Sequence, residues 1–193
     1  MCGIVGYVGE QPAQDVVMEG LRRMEYRGYD SAGIALVHDG SILWDKKAGK
    51  LANLEKALTE HPLAHSTTGI GHTRWATHGA PTDRNAHPHL GAHDRVALIH
   101  NGIVENFAEL RAELEADGVE MRSETDTEVA AHLLERELVP GADLTTAMQR
   151  VCRRLAGAFT LVAVDAEDPS RVVAARRNSP LVVGLGDGEN FVG

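Results

Sequence analysis

The order in which two kinds of apolar pattern follow each other constrains this chain most. Runs rich in β-branched residues at Ile4–Val8, Ala32–His38, Ile42–Lys46, Gly69–Thr73, Val96–His100, Phe159–Val164, Val172–Ala175 and Leu181–Leu185 predict strands. Helical spacing recurs in Val16/Val17/Leu21/Met24, in Leu110/Leu114, in Val129/Leu133/Leu134/Leu138 and in Leu144/Met148/Val151/Leu155. The two patterns are grouped rather than alternating. That grouping predicts an α+β fold, helices on mostly antiparallel sheets, over a doubly wound parallel sheet. His38-Asp39-Gly40-Ser41 predicts a hairpin whose Asp-Gly pair suits a type I′ turn. Residues 74–92 hold glycines, prolines and histidines without either period, and a loop of that length in one domain is expected to be functional or disordered. The 193 residues show no repeat and no low-complexity linker, which predicts a single domain.

Charge excludes some partners. Lys plus Arg is 19 and Asp plus Glu is 28, a net −9 that carries no basic footprint for nucleic acid or an anionic membrane. The longest apolar-plus-glycine run, Met1–Gly9, is nine residues, whereas crossing a bilayer takes about 20. The first basic residue is Arg22, which is not the order of a secretory signal. The two cysteines, Cys2 and Cys152, form no disulfide framework. A cytoplasmic location is the expectation. Asn190-Phe-Val-Gly193 looks like the start of a further strand, so the domain reads as incomplete at its C-terminal end. Gly184-x-Gly186-x-Gly188 reads as a turn, since no helix opens after it.

Cys2 is the first candidate for chemistry. Removal of Met1 would place a thiol and a free α-amine on one residue. An α-amine titrates near 7.7–8.0, against about 10.4 for lysine, so it can accept the thiol proton near neutral pH. The bland alternative is a buried thiol in an N-terminal strand. Cys152, on a helical pattern, has only that core reading.

Further segments follow in order: Cys2-Gly-Ile-Val-Gly6, Glu25-Tyr-Arg-Gly-Tyr-Asp-Ser-Ala-Gly33, His72-Thr-Arg-Trp-Ala-Thr-His-Gly79, Asn85-Ala-His-Pro-His89, His100-Asn-Gly102 and Ser123-Glu-Thr-Asp-Thr-Glu128. The series resembles the glutaminase domain of class II glutamine amidotransferases, in the branch that aminates a sugar phosphate. The resemblance runs from Cys2 to the last residue. It implies the four-layer αββα sandwich of N-terminal-nucleophile hydrolases and a domain spanning residues 1–193. It also implies L-glutamine as substrate, no cofactor, and a sugar-isomerase module in a longer, homo-oligomeric enzyme.

Hydrolysing a side-chain amide needs a nucleophile, a proton acceptor, oxyanion donors and anchors for the amino-acid end. Cys2 supplies the first two. Asn101 and Gly102, following the strand Val96–His100, offer neutral N–H donors for the oxyanion; a common Asn-Gly turn is the alternative. Arg74 offers a planar fork for the α-carboxylate, or is an ordinary surface arginine. Asp126, before a helix expected from about Thr127, is an ammonium acceptor, an N-cap, or both. By resemblance Thr77 and His78 help hold the carboxylate. Trp75 by resemblance gates ammonia, its alternative being a loop anchor in the core. Arg27 and Gly28 by resemblance support the nucleophile.

Six of the ten histidines fall between His72 and His100 and raise a metal-binding alternative. Their spacings match no strong zinc signature and no H-E-x-x-H motif accompanies them, so no metal is expected. If Met1 is retained, the base is lost and the chain becomes a non-catalytic glutamine-binding module.

Overall fold

The computed structural model describes residues 2–193; Met1, whose removal the chemistry above requires, lies outside the described residues. Two antiparallel sheets carry the architecture. The first runs β3 (Ser41–Ala48), β2 (Ser31–His38), β4 (Thr68–Arg74), β1 (Gly3–Val8), β10 (Asn190–Val192), β9 (Val183–Leu185). The second runs β5 (His89–Leu90), β6 (Val96–Gly102), β7 (Phe159–Asp165), β8 (Asp168–Arg177). At the β2–β3 hairpin Asp39 and Gly40 both have positive φ (45° and 73°), as a type I′ turn requires.

Residue parity along the strands builds four layers. Ile34 and Leu36 of β2 pack outward against Val17 and Leu21 of α1 (Ala13–Met24) and Leu51 and Leu54 of α2 (Leu51–Glu60). The intervening Ala35 and Val37, with Ile70 of β4, face the other way and meet Ala97, Ile99, Val162 and Val164 of the second sheet. On its far side that sheet presents Val96, Leu98, Leu161 and Ala163. They pack against α3 (Phe107–Ala116), α4 (Asp126–Arg136) and α5 (Leu144–Arg154) through Leu114, Leu133, Met148 and Val151. Three apolar seams therefore separate α, β, β and α layers. This is the expected αββα sandwich.

Several local expectations are corrected. Leu51, Leu54 and Leu58 have helical spacing and form α2, where no helix was expected. Asn101 and Gly102 do not follow the Val96–His100 strand but finish it, because they pair with Thr160 and Phe159 of β7. Strand β8 is longer than Val172–Ala175, and β9 is shorter than Leu181–Leu185. Helix α4 starts one residue earlier than expected. Its N-cap is Thr125, whose side chain accepts from Glu128 N–H, so Asp126 is the first helical residue and not the cap. Among the described residues no helix is long and apolar enough to cross a membrane.

Candidate active site

The strand parity that makes the central seam also makes the site at its end. Along β4, Ile70, His72 and Arg74 share the inward side; along β6, Ala97, Ile99 and Asn101 do. The segment 85–89 runs between them, so close to β2 that a Cβ on Gly33 would lie 2.1 Å from His87 O. Lys46 of β3 fastens this segment, donating from Nζ to the carbonyls of Arg84 (3.2 Å), Ala86 (2.8 Å) and Pro88 (3.0 Å). Burial pushes that ammonium down to about 8.

A cavity of about 280 Å³ opens here, lined by Cys2, Arg74, Trp75, Thr77, His87, His100, Gly102, Ile103 and the helix start Thr125–Thr127. The Cys2 thiol is half-buried just before β1, and Trp75 N–H donates to its Sγ at 3.2 Å. Asp30 accepts from Ala76 N–H at 2.6 Å, holding the chain immediately after Trp75.

Arg74 is buried, not a surface residue. Its guanidinium donates to the carbonyls of His78, Gly79 and Ala80 and so braces the loop, leaving two of a guanidinium's five N–H groups. Asp126 is 4 % exposed. Its Oδ2 accepts from Val104 N–H at 2.8 Å, tying the end of β6 to α4. Its ion-pair contact among the described residues is His100 Nδ1 at 4.0 Å, and burial lowers that imidazole toward neutrality. A buried carboxylate and a buried guanidinium thus share one small cavity with a thiol.

Gly102 closes the cavity where only glycine fits. Its φ is 127°, and a Cβ there would lie 2.2 Å from Ala158 O. Asn101 is beside it but is not among the lining residues; its Oδ1 lies 2.8 Å from His72 Nε2. His78 is outside the lining too, with its ring against Phe107 at 5.1 Å. It enters the site through the carbonyl that Arg74 holds. Trp75 is not a core anchor: the residue is 55 % exposed. Gly28, at φ 75°, would bring a Cβ within 3.6 Å of Trp75 Cζ3, so the Arg27–Gly28 turn borders that indole rather than the cavity. Thr77 lines the cavity and is exposed at its rim.

From the sequence His72, His87 and His100 were weighed only as metal ligands, and Ile103 and Thr127 had no place in the site. The available signal was parity, since His72 shares a strand side with Ile70 and Arg74. His72 and His87 stack at 4.1 Å, and His87 Nδ1 accepts from His100 N–H at 3.3 Å. Burial pushes His72 down to about 3 and lowers His87 and His89 well below the ordinary value. Among the described residues no group of histidine, cysteine and acidic side chains is arranged to hold a metal ion.

Layer order and a thiol at the head of the central strand of the first sheet define the N-terminal-nucleophile class of fold. Two solved structures share it over the whole chain. One is a glutamine phosphoribosylpyrophosphate amidotransferase from B. subtilis complexed with ADP and GMP (TM-score 0.82, 24 % identity, 41 % of that chain). The other is described as the allosteric regulatory enzyme of purine biosynthesis (TM-score 0.84, 25 % identity, 41 % of that chain). The glutamine amidotransferase domain model matches residues 72–192, and the chain belongs to that family. It is 67 % identical over 192 residues to the glutamine–fructose-6-phosphate aminotransferase [isomerizing] of Streptomyces coelicolor, and 61 % identical over 198 residues to the protein so named in Mycobacterium tuberculosis. All of this chain matches, but it spans only 31–32 % of those relatives.

Proposed function

We propose that this chain is the glutaminase part of a sugar-phosphate aminotransferase, hydrolysing L-glutamine to glutamate and ammonia. The observation that carries the reading is the cavity in which one guanidinium, one carboxylate and one thiol converge. A free α-amino acid presents the complement of the first two, a carboxylate and an ammonium. Arg74 takes the carboxylate, supported by Thr77 and by the His78 backbone; Asp126 takes the ammonium. That orientation puts the side-chain amide at Cys2.

With Met1 removed, the α-amine of Cys2 accepts the thiol proton and Sγ attacks the amide carbon. The tetrahedral oxyanion receives N–H donors from Asn101 and Gly102, each donor of this kind contributing about 2.7–4 kcal/mol. The amine returns its proton to the leaving nitrogen, the C–N bond breaks and ammonia departs. Water then cleaves the γ-glutamyl thioester, regenerating thiol and amine with release of glutamate. Trp75 at the rim controls the exit of ammonia, and Arg27 and Gly28 support the turn beneath its indole. In a longer chain the ammonia passes to a sugar-isomerase module and converts fructose 6-phosphate to glucosamine 6-phosphate, a reading that the relatives' shared name supports.

Intact-mass spectrometry before and after an electrophilic glutamine analogue tests the chemistry. Loss of Met1 followed by one adduct on Cys2 is expected. Cys2→Ala should abolish ammonia release while glutamine affinity stays within about tenfold, roughly 1.4 kcal/mol. Ammonia release by Cys2→Ala protein would overturn the assignment.

A further inference from the structure

The contact between His72 and Asn101 joins the two sheets at the edge of the cavity, and it has a polarity. His72 Nε2 lies 2.8 Å from Asn101 Oδ1, while His72 Nδ1 is buried with no hydrogen-bond partner. The two ends of an asparagine amide are nearly alike in shape, so the partner settles which end is which. A neutral imidazole carries one proton. With the proton on Nδ1, a buried N–H would have no hydrogen-bond acceptor, which costs the full desolvation of that donor. On Nε2, it donates to Asn101 Oδ1, and only a lone pair is left unpartnered. Burial, which pushes this imidazole down to about 3, keeps it in the one-proton state at neutral pH.

The ring has little freedom to turn. His87 stacks on it at 21° between planes, and the backbone on both sides of His87 is held by the Lys46 ammonium through Ala86 O and Pro88 O. His87 is in turn fixed in tautomer, because its Nδ1 accepts from His100 N–H and its proton must sit on Nε2.

We infer that His72 is a positioning residue: its Nε2–H holds Asn101 Oδ1 and thereby commits the Nδ2–H₂ end of the same amide to the oxyanion. The inference rests on the glutaminase reading, and deepens it. It adds a residue that touches no substrate atom, yet sets the orientation of one that does. Without it the amide can turn over and present a carbonyl oxygen to a developing negative charge, which is repulsive.

Glutamine hydrolysis by wild type, Asn101→Ala, His72→Phe and His72→Gln tests this. Phenylalanine keeps the ring stacked on His87 but has no N–H. Glutamine places Nε2 the same number of bonds from Cα as the imidazole does. Removing one oxyanion donor lowers kcat about 10²–10³-fold. His72→Phe should approach that loss with KM within about threefold, and His72→Gln should recover at least about tenfold of it. A His72→Phe kcat within about threefold of wild type, while Asn101→Ala loses about 100-fold, overturns the inference but not the glutaminase reading. Equal loss in the Phe and Gln variants overturns it too. A wild-type chain that releases no glutamate overturns the glutaminase reading instead. Imidazole ¹⁵N shifts of the wild-type protein decide independently of activity and of how the variants fold. Protonated Nε2 at pH 6 is expected, and protonated Nδ1 refutes the polarity.

Discussion

Acid should unfold this protein through its buried histidines before its carboxylates protonate. His72, His87 and His89 are each held neutral by burial, His72 down to about 3 and the other two well below the ordinary value. In the unfolded chain each returns to about 6.5. The sign follows from proton uptake. Between those values the unfolded state binds protons that the folded state does not, so stability is complete above about pH 6.5 and is lost as pH falls. Near pH 5.5 an unfolded histidine is about nine-tenths protonated. Three of them give a slope of about 4 kcal/mol per pH unit, at about 1.36 kcal/mol per proton and unit. Total stabilities are about 5–15 kcal/mol, so for a stability at the lower end of that range little more than one pH unit below 6.5 should bring the chain to its midpoint. Urea denaturation at intervals from pH 7.5 to 5, followed by far-ultraviolet circular dichroism, measures the slope. His87→Phe, which keeps an aromatic ring against His72, should remove about one proton from it, or about 1.4 kcal/mol per unit. A slope near pH 5.5 below that single-proton value in the wild type would refute the account. It would mean that the histidine stack protonates in place or is already wet.

Two substitutions test how the site is held. Gly102→Ala forces a side chain onto φ 127° with Cβ 2.2 Å from Ala158 O; it should destabilise by at least about 2 kcal/mol in thermal melts and lower kcat by displacing the β6 terminus. An alanine variant as stable as wild type would show that the β6–β7 ends are looser than described. Lys46→Met leaves the carbonyls of Arg84, Ala86 and Pro88 without their shared donor, so hydrogen exchange in residues 84–89 should accelerate and stability fall by about 3 kcal/mol. Unchanged exchange there would show that Gly33 and the histidine stack suffice to seat the segment.

How far these features can be read from sequence depends on whether the partner lies along the chain or across it. The layers were legible only through the family resemblance: β2 is apolar on both faces, so its sequence marks a strand buried on both sides but not which seam takes Ile34/Leu36 and which Ala35/Val37. The type I′ hairpin was legible because Asp39-Gly40 permits two positive φ values by itself. Family words located Cys2, Arg74, Gly102 and Asp126, which the fold brings to one cavity. What those residues do with their hydrogen bonds was not legible. Arg74 looks like a free fork until its loop carbonyls are seen, and Asp126 looks like an N-cap until Thr125 is found in that place. The histidines show the limit most clearly. Twenty-nine positions separate His72 from Asn101, and they meet only because β4 and β6 lie in different sheets that face one another. Spacing argued against a metal for the histidine-rich stretch but did not show what holds these imidazoles neutral, because desolvation is set by the packing of both sheets. Burial of the stack then has two linked effects. It keeps His72 a single-proton donor to Asn101, and it makes the fold sensitive to acid, so the loss of stability below pH 6.5 follows from the same burial that orients the amide.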